Sequence, residues 1–301
     1  MVLPPASTLH RSRFRLRSSS RWRRAALALL SAGVVVAGLV GCAALDRQQR
    51  EWIFQPGDRT WWGGAAAAEG MQDVWIDFQP SMAAAAVRLH CLWLPQDRVD
   101  APVLLYLHGA RWDVRGSAPR MRRMHELGFS VLGVDYRGFG RSSAGLPSED
   151  QAYEDARAAW AWLAAHYPQS RRFVFGHSLG GAIAVHLAAE VDDEAGLIVE
   201  GTFPSIPEVV STFKWGWLLV SGLITQNLDA GSRIARVGSP VLVVHGDQDI
   251  VIQPALGRKL FEHAAEPKRF VLVEGGSHHN TNAIGQPLYR QALSELFGLQ
   301  P

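Results

Sequence analysis

The 301-residue sequence has only two cysteines, Cys42 and Cys91, and no Cys/His cluster with the spacing of a metal site. Two thiols exclude the kind of disulfide framework that stabilises small secreted domains. An H-E-x-x-H zinc motif and a G-x-x-x-x-G-K phosphate-binding loop are also missing. We therefore expect a protein that uses neither a metal nor a cofactor.

Acidic residues are absent from the first 41 residues, which contain seven arginines. The whole chain has a net charge of +2, so removing those seven charges leaves −5 for the rest. The basic charge thus belongs to a leader and not to a nucleic-acid-binding surface. We expect no nucleic-acid partner.

The leader has the order of a secretory signal, in which a basic region precedes the apolar run Ala25–Val40. It ends at Leu39-Val40-Gly41-Cys42, which resembles a bacterial lipobox that is cut before Cys42 and carries diacylglycerol on the thiol. The alternative is an uncleaved membrane helix, because the run approaches the ~17 residues that just span a bilayer. Both interpretations predict a leader at residues 1–41, a tether at 42–68 and a membrane-anchored protein in the cell envelope, outside the cytoplasm.

Strand-like and helix-like segments alternate along most of the chain. Val74–Phe78 and Val87–Leu94 are expected to form two antiparallel strands. Later apolar runs such as Val103–Leu107 fit parallel strands that are covered on both faces, and a capping box at Ser148–Gln151 opens an amphipathic helix. The alternation predicts a single α/β domain with a mostly parallel, doubly wound sheet and an antiparallel start.

The stretch Phe173–Gly181 is the strongest motif. A short apolar strand leads into Gly-His-Ser-Leu-Gly, and a helix rich in small residues follows. Glycines at 176 and 180 permit the strained turn that lifts a serine hydroxyl clear of a sheet. A chance G-x-S-x-G is the alternative, but the strand before and the helix after it favour a nucleophile elbow with Ser178 as the nucleophile.

A serine nucleophile needs a base, and the base needs an orienting acid. Asp247 and Asp249 follow the predicted strand Val241–Val244. Asp249 is favoured as the acid because the first polar residues after the strand are needed for the turn. His278 and His279 follow the last predicted strand, and small residues before them favour His278 as the base while leaving His279 open.

Oxyanion stabilisation requires backbone N–H groups directed at the developing charge. Leu179, next to the nucleophile, is expected to supply one of them. Ala110, which follows His108-Gly109, is expected to supply the other. An HGGG run is absent, which argues against esters of bulky tertiary alcohols.

These motifs together resemble the α/β-hydrolase superfamily, and most of all its serine-aminopeptidase-like, bud-emergence-type branch. That branch includes membrane-associated acyl-protein thioesterases and uncharacterised bacterial esterases. The segments that carry the resemblance are His108-Gly109, Asp135–Ser142, Pro147–Glu149, Gly176–Gly181, His245–Asp249 and Gly275–His278. The resemblance covers residues 50–298 and implies an α/β-hydrolase domain at 69–301, with Asp249 as the acid and His278 as the base.

The predicted function is hydrolysis of an ester or thioester of a small-molecule or acyl substrate through an acyl-enzyme. About forty residues lie between Gly201 and Pro240, which allows only a short cap segment. Its apolar stretch Phe213–Val220 either walls an acyl pocket or contacts lipid, or it is an ordinary helix packed on the sheet rim. The alternatives are a serine peptidase or acyltransferase with the same nucleophile, and a membrane-tethered, non-catalytic binding or scaffold protein that keeps the fold.

Overall fold

An eight-stranded sheet forms the centre of the protein. The computed structural model describes residues 19–81, 85–213 and 223–300. The strands are β1 (Gln72–Phe78), β2 (Val87–Leu94), β3 (Val103–Leu107), β4 (Ser130–Val134), β5 (Arg172–His177), β6 (Gly196–Glu200), β7 (Val241–Gly246) and β8 (Lys268–Val273). They lie in the order β1-β2-β4-β3-β5-β6-β7-β8. β2 pairs antiparallel with both β1 and β4, and the remaining pairs are parallel. The predicted mostly parallel sheet with an antiparallel start is confirmed.

Helices connect the parallel strands. Those in the described part are α1 (Ser19–Phe54), α2 (Gly64–Ala67), α3 (Ala118–Glu126), α4 (Glu149–His166), α5 (Leu179–Ala188), α6 (Ile206–Ser211), α7 (Pro254–His263), α8 (Thr281–Ile284) and α9 (Gln286–Phe297). Ser148 caps α4 at the predicted position, since its Oγ accepts a hydrogen bond from the Gln151 N–H at 3.3 Å. α7 was not predicted from the sequence, although Pro254 begins it and Leu256 and Leu260 bury one face.

Both faces of the sheet are covered by helices. Leu105 of β3 belongs to the apolar layer that packs against α4, α5 and α7. Leu104, its neighbour, belongs to the opposite layer, which packs against α3 and α9. Because the faces are closed, the loops at the carboxyl ends of the parallel strands are where a site can form.

The chain divides into one unit at residues 1–45 and a second at 46–301. Within α1, Leu27–Phe54 is long and apolar enough to cross a membrane, and a signal sequence near an N-terminus has the same properties. Residues 46–68, which we expected to form part of a tether, belong to the second unit. There Phe54 is completely buried, and Asp46 Oδ1 accepts a hydrogen bond from Gln226 Nε2 at 2.9 Å.

The connection from β6 to β7 is short, as the sequence indicates, and α6 occupies part of it. Phe213, at the start of the predicted apolar wall, is exposed. Residues 214–220, the remainder of that predicted wall, lie outside the described residues.

Candidate active site

Ser178 lies in the sharp turn between β5 and α5. Its backbone has φ 55° and ψ −123°, a conformation that is strained for any residue other than glycine. Hydrogen bonds on both sides hold the turn. The Ser178 N–H donates to the Glu200 carbonyl oxygen at 2.9 Å, and the Thr202 hydroxyl donates to the Ser178 carbonyl oxygen at 2.9 Å.

The glycines at 176 and 180 leave room for this turn. A Cβ at Gly176 would lie 2.2 Å from the carbonyl oxygen of Gly180, and a Cβ at Gly180 would lie 2.2 Å from that of Leu107. Both obstacles are backbone atoms, which cannot rotate away as a flexible side chain does. The turn therefore has no space for a side chain at either position.

We expect Gly180→Ala to lower the free energy of unfolding by about 3 kcal/mol, because the new methyl group displaces the end of β3. Gly238→Ala is the matched control, since a Cβ there meets nothing within 4 Å. Urea unfolding curves of the two variants and the wild type measure the difference. Equal stability of the two variants would show that the elbow is not tightly packed.

Asp249 and His278 form a buried pair. Asp249 Oδ2 lies 2.7 Å from His278 Nδ1. The other carboxylate oxygen accepts hydrogen bonds from the backbone N–H groups of Val251 at 2.9 Å and Ile252 at 2.8 Å. One oxygen thus fixes the loop after β7, and the other orients the imidazole so that Nδ1 carries the proton and Nε2 is free to act as a base.

The charge of Asp249 is stabilised by its surroundings. Burial alone raises the pKa of its carboxyl, but hydrogen bonds from His245 and His278 outweigh burial and hold that pKa well below its usual value. His245 Nε2 is 3.4 Å from Asp249 Oδ2 and 2.9 Å from the carbonyl oxygen of Ile252. The carboxylate therefore stays ionised throughout the pH range in which an imidazole titrates.

The two alternatives left open by the sequence lie elsewhere. Asp247 is exposed at the surface. His279 is also exposed, and its ring stacks on Trp61 with 5.2 Å between the centroids. Partial desolvation of this ring against Trp61, together with the charge of Arg120, lowers the pKa of His279. The structure thus joins His278, and not His279, to an aspartate.

The loop after β3 places Ala110 beside the elbow. A Cβ at Gly109 would lie 3.2 Å from the Ser178 Cβ, so this loop passes directly over the serine. His108 braces it, with Nδ1 2.6 Å from the carbonyl oxygen of Gly109. On the other side of Ser178, Leu179 is the first residue of α5, so its N–H has no acceptor within the helix.

These groups meet in one cavity of about 270 Å³. Ser178 and His278 both line it, as do Ala110 and His177. Aromatic and basic side chains form much of the remaining wall, among them Trp61, Trp112, Arg111, Arg120 and Arg123. The cavity therefore brings a serine hydroxyl, an aspartate-bound imidazole and the expected oxyanion loop to one space.

Known proteins that resemble the chain identify its family. The family model described as serine aminopeptidase, S33, matches residues 99–230. The sequence is 30% identical over 210 residues to alpha/beta hydrolase domain-containing protein 17B of Xenopus laevis, covering 67% of this chain and 69% of that protein. The chain belongs to the α/β-hydrolase superfamily. The resemblance stated from the sequence motifs is thereby confirmed.

Two further similarities extend across more of this α/β-hydrolase. It is 33% identical over 263 residues to an uncharacterized protein of Mycobacterium tuberculosis, covering 86% of this chain and 88% of that protein. An esterase structure from Pyrococcus furiosus has a TM-score of 0.64 at 19% identity, covering 82% of this chain and 99% of that one. At this identity the likeness shows the fold, which is the predicted α/β-hydrolase fold. The protein is a hydrolase.

Sequence reasoning missed a buried ionic cluster beneath the site of this hydrolase. Arg120 Nε donates to Glu200 Oε1 at 2.8 Å, and the Tyr289 hydroxyl donates to Glu200 Oε2. Arg120 Nη2 also donates to the carbonyl oxygen of His279 at 3.4 Å. The cluster ties α3, β6 and α9 to the loop that carries the paired histidines. No local signal marks it, because its members lie 80 or more residues apart.

His177, the residue before the serine, does more than pack against the elbow. Its Nε2 donates to the carbonyl oxygen of His278 at 3.0 Å. Burial, together with the charge of Arg120, holds the pKa of His177 well below its usual value, so the ring stays neutral. His177 therefore supports the backbone of the loop that contains His278.

Proposed function

We propose that this hydrolase cleaves ester or thioester bonds, with Ser178 as nucleophile, His278 as general base and acid, and Asp249 as the orienting carboxylate. The observation that carries the proposal is the buried pair of His278 Nδ1 and Asp249 Oδ2, 2.7 Å apart, in a wall of the cavity that Ser178 also lines. Such a pair leaves Nε2 as a base directed toward a nucleophile.

The reaction has two halves. The Ser178 Oγ attacks the acyl carbon as His278 Nε2 takes the hydroxyl proton, and the N–H groups of Leu179 and Ala110 stabilise the oxyanion. The intermediate collapses to an acyl-serine while the imidazolium returns the proton to the departing alcohol or thiol. Water then attacks the acyl-serine through the same base, which releases the acid and regenerates the hydroxyl.

The charge of the cavity favours esters and thioesters over the substrates of an aminopeptidase. An aminopeptidase has to hold the free ammonium group of a peptide, and a carboxylate is the side chain that does so at low cost. No Asp or Glu is among the described residues that line the cavity. The undescribed segments contain no acidic side chain either.

Reaction with a fluorophosphonate tests the nucleophile directly. We expect the wild-type protein to gain one adduct, located by mass spectrometry on the peptide that contains Ser178, because the activated hydroxyl attacks phosphorus as it attacks an acyl carbon. Protein that stays unlabelled under conditions that label a control serine esterase would support the non-catalytic scaffold instead.

We also propose that the N-terminal segment anchors the enzyme to a membrane in the cell envelope, through lipid on Cys42. The support is the basic and apolar leader that ends at Cys42, together with the apolar stretch within α1. Cells grown with a labelled fatty acid are expected to incorporate label into the wild type and none into Cys42→Ala. Equal labelling of the two proteins, or none in either, would refute lipidation at this cysteine.

A further inference from the structure

The wall of the active-site cavity carries an excess of positive charge. Three arginines, Arg111, Arg120 and Arg123, line it. Carboxylates are absent from its lining within the described ranges, and residues 1–18, 82–84, 214–222 and 301 contain no Asp or Glu. A cavity with this balance favours an anionic ligand.

Among the residues that the structure describes, a carboxylate pairs with only one of these three arginines. Arg120 pairs with the buried Glu200 at 2.8 Å. Arg123, half-buried on α3, instead donates from Nε to the amide oxygen of Asn282 at 2.8 Å, and in the described structure no carboxylate oxygen lies within 4.0 Å of its guanidinium. A neutral amide fixes the side chain in place without cancelling its charge.

Arg111 is held in a comparable way. Its Nε donates to the amide oxygen of Gln55 at 3.0 Å, and its guanidinium carbon lies 5.8 Å from the ring centre of Trp112. The backbone of Arg111 has φ 80°, in the left-handed region that favours glycine. A residue with a strained backbone thus places a long cationic side chain in the cavity, directly after Ala110. Strained backbone conformations of this kind are often kept at functional sites.

We propose that Arg111 and Arg123 form a subsite for an anionic group, a carboxylate or a phosphate, on the substrate of this enzyme. The inference rests on the proposed function and narrows it to esters or thioesters that carry a negative charge away from the bond that is cleaved. Two amide-positioned guanidiniums can each offer N–H donors to such an anion, as planar guanidinium groups do for carboxylates and phosphates.

Paired esters test the proposal by kinetics. The first pair is 4-nitrophenyl hydrogen glutarate and its methyl ester, which places the charge on the acyl side. The second is 4-acetoxybenzoate and its methyl ester, which places it on the leaving group. For at least one pair, we expect Arg123→Gln and Arg111→Gln each to reduce the anionic-to-neutral ratio of kcat/KM about tenfold, mainly through KM.

Two control variants separate the effect of losing a cavity charge from an effect of the substitution on folding. Arg123→Lys is expected to retain most of the preference, because it keeps the charge. Arg290→Gln removes the same charge from an exposed position on α9 that does not line the cavity, and its ratio is expected to equal that of the wild type. Ratios that stay unchanged in both cavity variants for both pairs would overturn the proposal, even if Ser178-dependent turnover of the neutral esters persists.

Calorimetry decides the question without turnover and distinguishes the two anions. Glutarate and butyl phosphate are titrated separately into the wild type and the same variants. We expect at least one of them to bind the wild type and to bind each cavity variant about tenfold more weakly. Binding that is equally strong in wild type and both cavity variants, or undetectable in the wild type for both anions, would overturn the subsite.

Discussion

Replacing Ser178 with alanine is expected to lower kcat/KM for 4-nitrophenyl esters by about 10⁶-fold, leaving the small residual catalysis that the oxyanion donors and substrate binding supply. The reason is that every covalent step of the proposed reaction passes through the Ser178 Oγ. Steady-state rates of the wild type and of Ser178→Ala, measured over a panel of esters with different acyl chain lengths, give the loss.

The interpretation of that loss depends on an intact fold. Ser178→Ala keeps the backbone hydrogen bonds of the turn, which involve the N–H and carbonyl groups at this position. Its free energy of unfolding should therefore stay within about 0.5 kcal/mol of the wild type. Ser294→Ala, at an exposed position on α9, is the matched control with full activity. Ester hydrolysis by Ser178→Ala at more than a tenth of the wild-type rate would exclude Ser178 as the nucleophile.

Alanine substitutions of the two adjacent histidines are expected to lower kcat/KM by amounts that differ by several orders of magnitude. His278→Ala should lower kcat/KM by about 10⁵-fold or more, because it removes the imidazole that both pairs with Asp249 and lines the cavity. His279→Ala should lower it by less than tenfold, because that ring stacks on Trp61 at the rim. The same ester panel measures both variants.

Each variant is the control for the other, since both remove one imidazole from the same loop. A larger loss in His279→Ala than in His278→Ala would reassign the base. Equal losses would point to collapse of the loop, which the free energy of unfolding of the two variants would reveal.

The strands and the elbow could be predicted because their signals are local. β3 reads as a continuous apolar run, and Gly176 and Gly180 frame the serine at a fixed spacing. The order of the candidate serine, aspartate and histidine along the chain could be proposed from the sequence for the same reason. α7 was missed because its apolar face is narrow, with Leu256 and Leu260 one turn apart and few other apolar residues between them.

The choice between adjacent candidates depends on information that a local pattern does not contain. Asp247 and Asp249 have the same chemistry, and the way the loop turns decides which one is buried beside His278. The cluster around Glu200 depends on chain crossings, since Arg120 and Tyr289 reach it from distant elements. Such contacts become visible only when the topology is known.

The hydrogen bond from His177 to the His278 carbonyl means that the second position of the G-x-S-x-G pentapeptide is not a spacer. It links the turn that carries the nucleophile to the loop that carries His278, which follows the edge strand β8. Transfer of this elbow to another scaffold therefore has to include both His177 and the loop whose carbonyl oxygen accepts its hydrogen bond. Without that pair, the transferred serine is not held in position relative to the histidine that takes its proton.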